Sequence, residues 1–198
     1  MQKIVLASSN PGKLKEFQLL LANVGFEVFP QSHFNVEDAE ETGLSFVENA
    51  IIKARNASQI TGLPALADDS GIEVDYLKGL PGIYSARYSG QGATNSSNNI
   101  KLLEALRGIP QHQRRARYQC VLVYMRHAAD PTPVICQGSW EGSILDRPTG
   151  EGGFGYDPLF FVPSHNCSAA QLSPEEKGKI SHRSLALSDL LQRLPDVQ

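Results

Sequence analysis

The most constraining feature of this sequence is its alternation of short apolar runs with segments of helical pattern. The apolar run KIVLA at residues 3–7 is followed by Asn10 and Pro11, which are favoured at the cap and at the first position of a helix. Apolar residues then recur at helical spacing over residues 14–24, and the strand-like run FEVFP follows at residues 26–30. This alternation predicts an α/β protein, and the short turns between some later strands predict a mixed sheet.

The rest of the chain continues this pattern. Residues 45–60 carry one apolar helical stripe, and residues 117–127 and 133–145 are long enough to form paired strands. The sequence SPEE at residues 173–176 has the pattern of a capping box, which predicts the start of a helix. No linker or repeat interrupts the 198 residues, so we expect a single domain spanning residues 1–198.

Composition excludes several classes of protein. The formal net charge of −3 argues against polymer nucleic acid as a ligand, because such ligands demand a basic surface. The three cysteines include no C-x-x-C pair, which argues against a disulfide framework or a structural zinc site. No run approaches the roughly 20 apolar residues of a membrane span, and the first residues do not have the pattern of a signal peptide. We therefore expect a soluble cytoplasmic protein that binds neither membranes nor polymer nucleic acid.

The sequence ALADDSG at residues 65–71 joins an apolar run to two adjacent carboxylates, Asp68 and Asp69. We expect the strand to end at these aspartates, and two interpretations of the doublet remain open. Asp, Ser and Gly are common in tight turns, so the doublet is typical of an ordinary turn. Two carboxylates held close together also repel unless a metal ion or a lysine lies between them, which favours a cation site.

The sequence SSNPGK at residues 8–13 lies between the first strand and the first helix. Free backbone N–H groups and the positive end of the helix dipole suit a phosphate group at such a position, and Lys13 lies one turn into the helix. The spacing is not that of a Walker motif, because Leu14 follows Lys13 where that motif has Ser or Thr. An ordinary capped turn with a solvated lysine is the alternative interpretation.

Two further segments carry charged and aromatic side chains. Glu40 and Glu41 precede the helix whose polar face includes Lys53, although acidic residues before a helix are also common partners of its dipole. The glycine-rich loop containing FGYDP can place an aromatic ring on a nucleobase. An Asp, a His and an Arg near that ring can bind the polar edge of the base, and the segment EKGKISHR supplies the last two.

Six blocks, taken in order, resemble the inosine triphosphate pyrophosphatase family over nearly the whole chain, from about residue 4 to residue 191. The blocks are SSNPGK at residues 8–13, ETGLSFVENA at 41–50, ADDSG at 67–71, LPGIYSARY at 80–88, GGFGYDP at 152–158 and SHR at 181–183. The resemblance implies hydrolysis of non-standard purine nucleoside triphosphates (ITP, dITP and XTP) to the monophosphate and pyrophosphate, with Mg²⁺ as the cofactor. It also implies an elongated mixed β-sheet flanked by helices, two lobes with the active site in the cleft between them, and a homodimer.

The resemblance also implies roles for the residues at the motif positions. It implies Asp69 as the general base for the attacking water, and Asp69, Glu41 and Asp68 as ligands of Mg²⁺. The choice between Glu40 and Glu41 is open, although the spacing to the glycine and the phenylalanine favours Glu41. The residues implied at the triphosphate are Ser8, Ser9, Asn10, Pro11, Gly12, Lys13 and Lys53. The residues implied at the nucleoside are Ser70, Phe154, Gly155, Tyr156, Asp157, Lys177, His182 and Arg183.

Three other functions are compatible with parts of the sequence. A Maf-type nucleotide pyrophosphatase, acting on pyrimidine or modified nucleotides, would have a similar fold, but the SHR and FGYD blocks favour a purine substrate. A nucleotide sensor would bind ITP without cutting it, yet it has little reason to keep two repelling carboxylates beside a triphosphate. A glycosidase with paired carboxylates is disfavoured, because adjacent aspartates are poorly placed to flank a sugar bond at ~5 Å or more.

Overall fold

The computed structural model of the chain describes residues 2–21 and 25–194. Within these residues, the helices are α1 (Pro11–Leu21), α2 (Phe46–Thr61), α3 (Asn95–Ala105), α4 (Pro174–Ile180) and α5 (His182–Arg193). The strands are β1 (Gln2–Ala7), β2 (Phe26–Pro30), β3 (Ala65–Val74), β4 (Arg115–Met125), β5 (Val134–Ile144), β6 (Phe160–Val162) and β7 (Cys167–Ser168). All of these strands belong to one sheet, in the order β2-β1-β3-β4-β5-β6-β7.

The sheet is mixed, which confirms the predicted α/β class. Strand β1 pairs in parallel with β2 and with β3, whereas β6 pairs antiparallel with β5 and with β7. Parallel neighbours need a long crossover connection, and α1 supplies the one between β1 and β2.

Helices α2 and α4 both begin at a serine that caps the helix. The side chain of Ser45 accepts a hydrogen bond from the backbone N–H of Glu48 at the start of α2, and Gly62 ends that helix with a φ of 69°. Ser173 begins α4 in a capping box, as predicted. The predicted helix over residues 14–24 is described to Leu21, because residues 22–24 lie outside the described part of the chain.

The chain divides into two compact units. Unit 1 comprises Met1–Asp69, Cys120–Gly138 and Arg183–Gln198, and unit 2 comprises Ser70–Gln119 and Ser139–His182. Strands β3, β4 and β5 each contribute residues to both units.

Unit 1 has a hydrophobic core on each face of its strands, because alternate strand residues point to opposite faces. Ile4 and Leu66 belong to the core that includes Phe17 of α1 and Leu187 of α5. We call this side of the sheet the α1–α5 face.

The opposite face of unit 1 is covered by α2. Val5 and Ala67 belong to a second core with Ala50, Ala54 and Ala57, which form an alanine stripe on that helix. The small side chains let the helix lie close to the strands, and we call this side the α2 face. The polar side chains that follow these apolar residues along β1 and β3 therefore face either α1 and α5 or α2.

Unit 2 has its own core. Ile72 of β3, Leu102 of α3 and Phe160 of β6 pack together with the aromatic side chains of Tyr118 and Trp140. The loop between β5 and β6, over residues 145–159, contains the glycine-rich block and adds Tyr156 and Leu159 to this core.

No helix within residues 2–21 and 25–194 combines the length and the apolar character that crossing a membrane requires.

Candidate active site

The two adjacent aspartates lie inside β3, which runs without interruption from Ala65 to Val74. The prediction that the strand ends at Asp68 is therefore wrong, and the interpretation of the doublet as a turn is wrong with it. Successive side chains of a strand point to opposite faces, so the two carboxylates are directed apart. Asp68 faces α1 and α5, and Asp69 faces α2, as their ion pairs show.

Asp68 is surrounded by donors on the α1–α5 face. Lys13 Nζ donates to Asp68 Oδ1, and Arg183 Nε donates to Oδ2 at 2.9 Å. The thiol of Cys120 donates to Oδ2 at 3.2 Å. Burial would raise the pKa of Asp68, but the charges of Lys13 and Arg183 outweigh it and hold that pKa well below its usual value. Asp68 is therefore a carboxylate whose two oxygens both have cationic partners.

Arg183 belongs to unit 1 and is buried, with 1% of its surface exposed. Its Nη1 donates to Glu16 of α1, in addition to the Nε bond to Asp68. Burial opposes the charge of Arg183, yet Asp68 and Glu16 outweigh burial and raise its pKa. The resemblance implies that Arg183 contacts the nucleoside, whereas these contacts connect it to α1 and to Asp68.

Asp69 and Glu41 share one lysine on the α2 face. Lys53 Nζ lies 2.7 Å from Asp69 Oδ1 and 3.0 Å from Glu41 Oε1. Lys53 is partly buried, which lowers its pKa, but attraction to Asp69 and Glu41 outweighs burial and raises it. The pKa of Asp69 is raised because burial outweighs the lysines nearby. The Oδ2 atom of Asp69 is buried and has no hydrogen-bond partner among the described residues.

The block at residues 8–13 forms the turn from β1 into α1. Asn10 Oδ1 accepts hydrogen bonds from the backbone N–H of Gly12 at 3.0 Å and of Lys13 at 3.2 Å, so Asn10 caps the helix as predicted. Pro11 is the first residue of α1. Ser8 Oγ accepts from the backbone N–H of Asn10 at 3.3 Å. The turn is thus ordered by its own side chains and brings Lys13 to Asp68.

Ser9 is connected to a different part of unit 1. Its hydroxyl donates to Asp38 Oδ2, and Gln31 Nε2 donates to the other oxygen of Asp38. These contacts connect the turn at residues 8–13, through Asp38, to Gln31.

The glycine-rich loop of unit 2 is organised around Asp157. The backbone N–H of Phe154 donates to Asp157 Oδ2 at 2.9 Å, and Lys177 Nζ donates to the same oxygen at 2.7 Å. Lys177 Nζ also lies 4.8 Å from the centre of the Phe154 ring. Phe154 and Asp157 of the loop thus come together with Lys177 of α4, and their binding of the nucleoside stays a prediction.

Two other predicted residues of unit 2 are buried. Tyr156 donates through its hydroxyl to the carbonyl oxygen of Ser85 at 2.7 Å, and burial raises its pKa. The ring of His182 lies parallel to that of Tyr118, with the ring centres 4.7 Å apart and the planes at 8°. Ser70 follows Asp69 in β3 and is partly buried.

Sequence reasoning missed three residues that hold the predicted ones in place. Tyr118 donates through its hydroxyl to Asp157 Oδ1 at 3.2 Å, and Asn99 Nδ2 donates to the carbonyl oxygen of Gly155 at 3.1 Å. The third residue is Glu16, whose carboxylate accepts a hydrogen bond from Arg183 Nη1. Only the apolar strand pattern around Tyr118 indicated that its side chain is buried, and nothing in the sequence indicated the partners of its hydroxyl.

A pocket of about 360 Å³ lies beside the glycine-rich loop in unit 2. Its lining includes Asn95 and Asn99 from α3, and Glu151, Phe154 and Gly155 from the loop. The Oδ1 atom of Asn99 is buried and lacks a hydrogen-bond partner within residues 2–21 and 25–194. The predicted stacking residue Phe154 therefore borders an open volume.

The predicted site residues form two groups. Unit 1 contains those of the phosphate and metal side, and unit 2 contains those of the nucleoside side, except that Arg183 belongs to unit 1. Among the described residues, no group of three His, Cys, Asp or Glu side chains is arranged to hold a metal ion. Glu41 and Asp69 are two carboxylates that Lys53 brings together.

Comparisons with known proteins agree over nearly the full length. The sequence profile of the Ham1 family matches residues 4–193. A dITP/XTP pyrophosphatase of Vibrio parahaemolyticus serotype O3:K6 is 59% identical over 194 residues, which cover 98% of this chain and 97% of that protein. A solved Ham1 protein from Coxiella burnetii is 52% identical with a TM-score of 0.90, over 97% of this chain and 98% of the other. A solved Ham1 protein from Staphylococcus aureus is 41% identical with a TM-score of 0.85, over 96% and 97% of the two chains.

Proposed function

The chain belongs to the Ham1 family, and from this premise we propose that it is a dITP/XTP pyrophosphatase. It hydrolyses dITP, XTP and ITP to the nucleoside monophosphate and pyrophosphate, and so removes non-standard purine nucleotides from the cellular pool. The observation that carries the proposal is the identity of 59% with a dITP/XTP pyrophosphatase over 98% of the chain. The carboxylate and lysine contacts around Asp69 support it independently.

The triphosphate binds, in this proposal, at the start of α1 and beside α2. Lys13 and Lys53 supply the positive charge that a triphosphate requires, and the turn at residues 8–13 presents backbone and side-chain donors. Ser8, Ser9, Asn10, Pro11 and Gly12 form that turn. Because Asp68 and Asp69 hold the two lysines on opposite faces of β3, the lysines are fixed before the substrate arrives.

Asp69 acts as the general base in the proposed reaction. The oxygen of a water molecule forms a bond to the α phosphorus, and the proton of the water passes to Asp69. The bond between the α phosphorus and the bridging oxygen breaks, and pyrophosphate leaves with that electron pair. A raised pKa suits this role, because a carboxylate that is a stronger base accepts the proton more readily.

The residues around Asp69 fit a magnesium ion. Mg²⁺ is commonly bound by one or two carboxylates together with the phosphates of the substrate, and Glu41 and Asp69 are two carboxylates that already share one cationic group. The buried Oδ2 atom of Asp69, which has no partner among the described residues, is an oxygen suited to such an ion. When bound, Mg²⁺ would neutralise charge that develops on the phosphates.

Asp68 has a different environment from the other two carboxylates. It is implied as a third ligand of Mg²⁺, and that role stays a prediction, because both of its oxygens have cationic partners. Its contact with Lys13 supports a role in holding this lysine for the triphosphate.

The purine binds, in this proposal, beside the glycine-rich loop. Phe154 stacks on the base, and Lys177 and His182 supply donors. Hypoxanthine and xanthine carry an acceptor oxygen at C6, where adenine carries an amine. Protein donors that face C6 therefore favour hypoxanthine and xanthine over adenine. Gly155, Tyr156 and Asp157 form the loop, and Ser70 contacts the nucleotide. The implied contact of Arg183 with the base stays a prediction, since the contacts described for it are with Asp68 and Glu16.

The proposal also covers the domain organisation, the assembly and the location of the protein. We propose that residues 1–198 are one domain of elongated shape, with two lobes and the active site in the cleft between them. We also propose a homodimer that works in the cytoplasm, as the resemblance in the sequence implies.

Measurement of pyrophosphate release tests the proposed function. The protein is incubated with Mg²⁺ and, separately, with dITP, XTP, ITP, dGTP, dATP and dTTP. We expect release from the first three and little from the others, and a preference for dTTP would favour a Maf-type enzyme instead. Substitution Asp69→Asn should reduce turnover by about 10²–10⁴-fold with the fold intact, as expected for loss of a general base. The exposed Asp146→Asn is the matched control, and a folded wild-type protein that cuts none of the purine triphosphates would refute the proposal.

A further inference from the structure

Tyr118 contacts two predicted nucleoside-binding residues at once. Its hydroxyl donates to Asp157 Oδ1 at 3.2 Å, and its ring is stacked on that of His182 at 4.7 Å and 8°. Asp157 lies in the loop between β5 and β6, whereas His182 begins α5. Tyr118, with 7% of its surface exposed, therefore connects two segments that are distant in sequence.

The hydroxyl of Tyr118 completes the set of donors around Asp157. Oδ2 accepts from the backbone N–H of Phe154 and from Lys177 Nζ, and Oδ1 accepts from Tyr118. With donors on both oxygens, the plane of the carboxylate is fixed. The positions of Phe154 and Lys177 depend on the orientation of this carboxylate, because the backbone N–H of Phe154 and the Nζ of Lys177 both donate to it.

The ring of Tyr118 fixes the plane of the His182 imidazole. Trp140 lies beside this stack, with its ring centre 6.1 Å from that of Tyr118 and 6.3 Å from that of His182. Phe160 packs against Tyr118 at 4.7 Å and an angle of 55°. The tyrosine is thus held by core aromatic rings of β5 and β6, and it is a rigid reference for both His182 and Asp157.

We propose that Tyr118 is a positioning residue for base recognition, which sets the Asp157 carboxylate and the His182 ring relative to each other. This inference rests on the proposed function, since it takes Phe154, Lys177 and His182 to bind the purine. Tyr118 does not contact the reacting phosphates in this account, so its effect is on binding of the substrate rather than on the chemical step.

Two substitutions separate the contributions of the hydroxyl and of the ring. Tyr118→Phe removes the hydrogen bond to Asp157 and keeps the stack on His182, whereas Tyr118→Leu removes both. Loss of one hydrogen bond to a charged group predicts that Tyr118→Phe raises KM for XTP roughly 5- to 20-fold, with kcat within about twofold of wild type. Tyr118→Leu should raise KM further. Tyr76→Phe, which alters an exposed tyrosine of the same unit, is the matched control and should leave KM unchanged.

The outcomes distinguish this inference from the proposed function. A KM that rises while kcat stays near wild type supports a positioning role, because a smaller fraction of folded protein would lower the apparent kcat and leave KM unchanged. An active wild-type protein with an unchanged KM in Tyr118→Phe overturns the inference and leaves the proposed function intact. A fall in kcat with no change in KM also overturns it. A wild-type protein that does not hydrolyse XTP overturns both.

Discussion

Lys53 Nζ lies 2.7 Å from Asp69 Oδ1, on the face of β3 that α2 covers. The same ammonium group lies 3.0 Å from Glu41 Oε1, so two carboxylates that would otherwise repel share one cation. Burial raises the pKa of Asp69, and Lys53 is the strongest influence that lowers it. The basicity of the proposed general base therefore depends on a residue that is itself proposed to bind the triphosphate.

Substitution Lys53→Met should shift the pH dependence of catalysis. Asp69 must be ionised to accept a proton, so activity falls as the pH drops through its pKa. Without Lys53 that pKa rises further, and the acidic limb of kcat/KM should move to higher pH. KM should also rise, because a positive charge is lost. The pH profile of kcat/KM for XTP measures both effects, and Lys15→Met, an exposed residue of α1, is the control. An acidic limb at the same pH in Lys53→Met and wild type would contradict the coupling.

Much of the fold could be predicted, because local patterns determine it. The caps at Asn10 and Ser173 and the strand at residues 26–30 follow from residue types within one turn or strand. The continuity of β3 could not be predicted in this way. Asp68 and Asp69 interrupt its apolar pattern, and their cationic partners come from three helices, two of which, α1 and α5, are distant in sequence.

In the candidate site, too, some residues could be predicted from the sequence and others could not. The resemblance implies Phe154, Asp157 and Lys177 as nucleoside-binding residues, which stays a prediction, and the structure brings these three residues into contact. It gave no indication of Tyr118 or Asn99, because a tyrosine in an apolar strand and an asparagine in a helix are common in any fold. Their roles depend on which carboxylate or carbonyl oxygen lies opposite, and only tertiary structure determines that.

Substitution Asp68→Asn should destabilise the protein strongly. Arg183 is almost fully buried, and removal of the Asp68 charge takes away one of its ion-pair partners, of which Glu16 is another. Breaking a buried ion pair by removing one partner typically costs about 3–5 kcal/mol of unfolding free energy. Urea unfolding measures this loss, with the exposed Asp146→Asn as control, which should change stability by less than about 0.5 kcal/mol. An equal stability of both variants would mean that the Asp68 contacts contribute little.

The stability of the wild-type protein should decrease on acidification partly through Asp68. Its pKa is lower in the folded protein than in the unfolded chain, so the unfolded chain takes up the proton first. The stabilisation is therefore present above the usual pKa near 3.8 and is lost as the pH falls towards the folded value. Urea unfolding at a series of acidic pH values should show that the difference in unfolding free energy between wild type and Asp68→Asn becomes smaller below pH 3.8. A difference that stays constant would exclude Asp68 as the titrating group.

Substitution Gly153→Ala should disrupt the glycine-rich loop where Asp157 organises it. Gly153 has a φ of 71°, and a Cβ atom there would lie 2.1 Å from Asp157 Oδ2, the oxygen that accepts from Phe154 and Lys177. Gly92 has a φ of 72° and open space around it, so Gly92→Ala carries the same backbone strain without the clash. Both variants should lose about 1–3 kcal/mol of stability from that strain. KM for XTP should rise in Gly153→Ala alone, because only that variant displaces the Asp157 carboxylate. Equal KM values in the two variants would show that the loop reaches its binding geometry without this contact.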